Sequence, residues 1–198
     1  MVLSDMIQSC VHSGVCMTKH PWRPIFLLIA LAACAPKTGN VTPHSGSTLT
    51  MAMVQDHLGE VGVTGVSEAA QAPVLSALER TGFLASAMDA SQFSDPFSDR
   101  RATPHRTAWL IDNKGDAKFI LLLETQAEYG SHLNGRYRWI VSTQLVLQNT
   151  SNSDAPLTTE FEVPVFLRFH HQKEDAAIAQ AAPMIARRVG QLANEMTP

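Results

Sequence analysis

Beyond Cys34 the chain has no cysteine at all: its three thiols are Cys10, Cys16 and Cys34. That excludes structural disulfides and cysteine metal sites from everything downstream, so the core must stabilise itself by burial alone. Long apolar runs are equally scarce. The longest stretch, Ile25 to Ala33, reaches only about 14 Å as a helix at roughly 1.5 Å per residue, against a hydrocarbon core of about 30 Å. A transmembrane anchor is therefore excluded there. Basic charge is also thin, with 15 Lys and Arg against 18 Asp and Glu and a formal net charge of −3. Without a basic stripe, the phosphate attraction that dominates nucleic-acid binding has nothing to work with, and nucleic acid is not an expected partner.

What is present near the start is ordered. Lys19 and Arg23 precede the apolar run Ile25–Ala33, which ends in Leu31-Ala32-Ala33-Cys34. Cations, a short apolar segment and small residues, in that order, mark a cleavable export signal. The four residues ending in Cys34 resemble the lipobox of bacterial lipoproteins. That resemblance implies that residues 1–33 are removed as a signal peptide and that Cys34 becomes a lipidated amino terminus. Met1, Met6 and Met17 are all usable starts, and residues 1–16 add nothing such a signal needs. Several acyl chains at about 0.8 kcal/mol per buried methylene replace the missing span. Ala35 after the cysteine, in place of an aspartate, resembles the outer-membrane sorting pattern, which implies a periplasm-facing protein.

Residues 34–47 then read as a lipid-bearing cysteine and a polar tether, broken by Pro36, Gly39, Pro43 and Gly46. Residues 48–198 are long enough for one self-sufficient domain. Thr48 to Val54 alternates as a first strand, and Gly59, Gly62 and Gly65 space out a loop that lacks the lysine of a phosphate cradle. A helix starts at Ser67 or at Pro73 and runs to Thr81, stopped by Gly82; Phe83 to Met88 follows as a short buried strand. Ala90 to Thr107 has no period and reads as a long loop. In it, Phe93 and Phe97 either anchor a protein partner, with Arg100, Arg101 and Arg106 at the rim, or tuck into the body.

Three strands come next. Ala117–Ala127 is apolar and central, whereas Gly135–Gln148 and Thr159–Phe169 alternate, and Asn134-Gly135 is hairpin-turn chemistry. From Glu174 to Met196, Ile178, Ala182, Ile185, Val189, Leu192 and Met196 form a helical stripe suited to one face of that sheet, with Pro183 expected to bend it. The expected fold is α+β: a small, mostly antiparallel sheet with a C-terminal three-strand meander and helices packed on it, in a single domain.

Catalytic chemistry is hard to assemble from these residues. His170 and His171 point to opposite faces of a strand, Ser131-His132 lacks nucleophile-elbow glycines, and Glu124 and Glu128 read as solvated surface at a strand end. The expectation is no enzyme, no cofactor and no metal. In element order, with Thr81-Gly82-Phe83 and Gly115-Asp116-Ala117 as local matches, residues 48–196 resemble a group of small α/β envelope domains. These are the TolB amino-terminal domain, the curli-secretion lipoprotein, penicillin-binding-protein activators and auxiliary lipoproteins of lipid-transport ABC systems. The resemblance implies a noncatalytic accessory or assembly factor, membrane-anchored by lipid, that binds another cell-envelope protein. The alternative it implies is a lipid-transport auxiliary, with the meander and last helix enclosing an apolar groove for an acyl-chain ligand.

Overall fold

The structure, a computed structural model, describes residues 44–57, 62–152, 154–169 and 171–196. Cys34 and the whole signal and tether region up to residue 43 lie outside the described residues. Ten elements follow in chain order: β1 (Thr48–Asp56), β2 (Val63–Gly65), α1 (Glu68–Arg80), β3 (Leu84–Ala87), α2 (Ala90–Asp99), α3 (Thr103–Asp112), β4 (Phe119–Leu133), β5 (Arg136–Asn149), β6 (Leu157–Leu167) and α4 (Glu174–Glu195).

The strands make one six-stranded mixed sheet in the order β2-β1-β4-β5-β6, with β3 also on β1. β1 runs parallel to β4 and to β3, and β4, β5 and β6 pair antiparallel in succession. The α+β class stands, but the sheet is larger than expected and mixed, because the first strand joins the last three by parallel pairing. β3 is not buried either: it is an edge piece, with Leu84 62% exposed. Glycine spacing also misled, since Val63–Gly65 is a strand on β1; Gly59 lies outside the described residues. Pro73 sits inside α1 rather than at its start, with Ser67 as N-cap.

Helices cover both faces. Odd-numbered residues of β4, Phe119, Leu121 and Leu123, pack with Met51 and Met53 of β1 against Val74 and Leu78 of α1 and Ile178, Ile185 and Val189 of α4. Even-numbered Ile120 and Leu122 pack with Ala52, Val54, Phe93, Phe97 and Leu110 in a second, smaller cluster. The continuous apolar run in β4 thus has its cause in two covers, one on each face. The hairpin at Asn134-Gly135 has φ of 49° and 74°, as a two-residue turn with both centres left-handed requires.

The stretch expected as a loop is the main correction. Ala90–Thr107 is occupied by α2 and the first half of α3. Asp89 caps α2 by accepting from the Ser91 amide at 2.8 Å, and Phe93 and Phe97, four apart, share one face. Pro104 falls in the first turn of α3, where its missing donor costs nothing.

Candidate functional site

Among the described residues a concave feature is an open groove of about 500 Å³ on the sheet, lined among others by Asp56, Glu124, Gln126, Ser142, Gln144, Glu160 and Glu162. The register explains it. Glu124, Gln144 and Glu160 oppose one another across β4, β5 and β6, and Gln126, Ser142 and Glu162 form the next row. Two-residue periodicity puts all six on the face that carries α2 and α3 over β1 and β4.

Arg106 holds two carboxylates of the groove's lining, Asp56 and Glu124. It is 2% exposed, and its guanidinium donates from Nη1 to Asp56 Oδ2 at 2.8 Å, from Nη2 to Asp56 Oδ1 at 2.9 Å, and from Nη1 to Glu124 Oε1. Its Nε donates to the carbonyl of Arg100 at 2.7 Å, and Nε and Nη2 both approach the carbonyl of Phe97 at 3.3 Å. Those two carbonyls end α2, so the same cation satisfies a helix C-terminus and neutralises two carboxylates. The Thr103 hydroxyl, one turn earlier on α3, lies 2.6 Å from Glu124 Oε2 and 3.0 Å from Gln144 Oε1. Burial works against the charge on Arg106, but hydrogen bonds and attraction from Asp56 and Glu124 outweigh it, so its pKa is raised. The result is a saturated network that holds its charges still.

Two expectations fail here. Arg106 is not a rim residue, and Glu124 is not solvated surface, being 8% exposed. Glu124 follows Ile120 and Leu122 at two-residue spacing, on a face that a helix covers. That periodicity was the available signal, because a buried carboxylate demands a cationic partner. Of the two readings of Phe93 and Phe97, the structure follows the second: 1% and 0% exposed, they tuck into the body as core residues with ring centroids 5.3 Å apart, and the anchor reading is corrected. Arg100 is half-buried and donates to the Pro96 carbonyl at 2.9 Å, whereas Arg101 is exposed. Glu128 and His132 are exposed. His171 stacks on Phe169 at 5.5 Å, and His170 lies outside the described residues.

A second polar chain was not read from the sequence. His57 Nδ1 is 2.6 Å from Glu174 Oε2 in the first turn of α4, and His57 Nε2 is 2.9 Å from the Thr64 hydroxyl. Hydroxyl, imidazole and carboxylate follow one another as in a nucleophile-base-orienter chain. None of the three lines the groove, and Thr64 stands on an exposed part of β2. Among the described residues no three His, Cys, Asp or Glu come together as a metal site, and no helix is long and apolar enough to cross a membrane.

No family model and no curated protein matches this sequence. Solved structures do resemble it. A PelC dodecamer from Paraburkholderia phytofirmans is 10% identical over 78% of this chain and 91% of that one, with a TM-score of 0.46. The lipoprotein GNA1162 from Neisseria meningitidis is 11% identical over 74% and 99%, with a TM-score of 0.35. The C-terminal domain of LpoB from Salmonella enterica is 14% identical over 62% and 88%, with a TM-score of 0.34. At TM-scores below 0.5 these likenesses decide neither mechanism nor partner.

Proposed function

We propose that this chain is a noncatalytic accessory of a bacterial cell envelope, moored by lipid on Cys34 to the periplasmic side of the outer membrane, whose domain docks on another envelope protein. The observation that carries the noncatalytic part is the Arg106 network. The buried ionisable groups at the groove, Glu124 and Arg106, are engaged with each other and with Asp56, Thr103 and backbone carbonyls, so neither is free to act as an acid or base, and the remaining carboxylates of the groove, Glu160 and Glu162, are exposed to solvent. The mooring rests on the residue order that ends at Cys34. Within the domain His44 is held in place, its amide donating to the Thr81 carbonyl at 3.0 Å and its Nε2 2.9 Å from the Ala193 carbonyl. A docking surface remains at the α2–α3 corner, with Arg101 exposed and Arg100 beside it. Phe93 and Phe97 support that corner from beneath.

The lipid-handling alternative places an acyl chain between the last three strands and α4. That space is filled by Val141, Leu145, Val163 and Val165 meeting Ile178, Ala182, Ile185 and Val189, which counts against it. The test has two arms. A site-specific photocrosslinker at Arg101 in membranes should capture one envelope protein, and Arg100→Glu with Arg101→Glu should lose it while the fold is kept; an unchanged adduct refutes that docking corner. A fluorophosphonate probe should leave the chain unlabelled; labelling that disappears in Thr64→Ala and His57→Ala would refute the noncatalytic reading.

A further inference from the structure

Beyond the Arg106 network, the same sheet face continues without a helix over it. α2 and α3 rest on β1, β2 and β4, and α4 covers β5 and β6 on the opposite face. Along β6, Thr158, Glu160, Glu162, Pro164 and Phe166 are all exposed on the uncovered side, and Arg136 and Arg138 of β5 are exposed beside them.

The order of charge along this face is not random. Pairing sets Gln144 against Glu160, Ser142 against Glu162, Ile140 against Pro164, and Arg138 against Phe166, row after row toward the hairpin tip. Arg136 and Arg168 continue the basic end, and Arg168 stands 6.0 Å over the Phe169 ring. On β5 and β6 the face is therefore acidic at one end, apolar in the Ile140–Pro164 row and basic at the other end, and on β4 that middle row continues into the exposed carboxylate of Glu128. Among the described residues no ion pair joins Glu160, Glu162, Arg136, Arg138 or Arg168 to anything within the chain.

Rotation by a two-fold axis through the Ile140–Pro164 row, lying across the strands, turns such a face onto itself. Rows are about 7 Å apart for every two residues of strand. Arg138 then falls over Ser142 of the second copy, one strand spacing of about 4.8 Å from Glu162, and Arg168 falls opposite Glu160 with Arg136 over Gln144 beside it, Ile140 and Pro164 packing at the centre. An isologous contact of this kind repeats every favourable pair twice, and opposite potentials steer the two faces into that register. We propose that the uncovered face of β5 and β6 binds a second copy of this chain, face to face and antiparallel, with Arg138 pairing to Glu162 across the two-fold. The proposal is independent of the membrane mooring and of the α2–α3 corner.

Sedimentation velocity on the full chain carrying Cys34→Ala tests it. A dimer is expected at about 0.05 M salt, with its dissociation constant raised tenfold or more at about 0.5 M, where screening is much stronger. Arg138→Glu and Glu162→Arg should each give monomers with unchanged thermal unfolding, since both sites are exposed. Mixing the two monomeric variants should restore a dimer, because both cross-pairs then join opposite charges, and the double swap in one chain should dimerise with itself. A monomer under all conditions, a dimer indifferent to either reversal, or a mixture that stays monomeric would each overturn the proposal.

Discussion

Replacing Arg106 with alanine should be among the most damaging single changes in the domain. The substitution removes a side chain that is 3% exposed and leaves Glu124, 9% exposed at its side chain, as a buried carboxylate without its cation. Breaking a buried pair by deleting one member costs roughly 3–5 kcal/mol, chiefly through the charge left behind. Asp56, 35% exposed at its side chain, is partly rehydrated and adds little. The carbonyls of Phe97 and Arg100 also lose their donor at the end of α2. Replacing both buried partners, Arg106→Met with Glu124→Leu, should recover much of the loss, since a well-packed apolar pair of similar volume is often neutral or better. Urea unfolding of residues 40–198, the compact unit, measures all three proteins. A loss below about 1 kcal/mol for Arg106→Ala, or a double variant worse than the single one, would refute the argument that a stranded charge dominates.

Phe97→Ala empties a fully buried site between α2, α3 and β4 and should cost about 3–5 kcal/mol by denaturant unfolding. A cost within experimental error would mean that the second cluster is not packed as described. Gly65→Ala would put a Cβ 2.4 Å from the Cβ of Ala90, so β2 and α2 must part; a loss of roughly 1–3 kcal/mol is expected. Asp89 holds its carboxyl below the ordinary value of 3.8, through the Ser91 hydroxyl first and the Ser91 amide second. Its support for α2 is therefore present above that ordinary value and fades as pH falls through the lowered one. A carboxyl titration followed by NMR should find its midpoint below 3.8, and a midpoint at or above it would contradict the cap.

The elements that were legible share strong patterns. The alternation of β5 and β6 and the four-and-three stripe of α4 each repeat one period long enough to exclude the other, and the unbroken apolar run of β4 and the Asn134-Gly135 turn are local signals in their own right. α2 and α3 lacked that: Ser, Asp and Pro dilute a stripe of only two phenylalanines, Phe93 and Phe97, and Pro96 argues locally against the helix it sits in. Packing on Ile120 and Leu122 overrides that weak propensity. The parallel partner of β4 was invisible because pairing between residues 49 and 119 leaves no mark within either segment. The groove was missed for the same reason. Asp56, Thr103, Arg106, Glu124 and Gln144 come from four elements, and only tertiary structure brings them within hydrogen-bond reach.

Metabolic labelling with palmitate tests the mooring on which the functional account turns. Wild-type chain expressed in a bacterial envelope should carry label and sediment with outer membranes, and Cys34→Ala should carry none and stay unprocessed or soluble. Equal labelling of the two, or no label in either with identical fractionation, would contradict it.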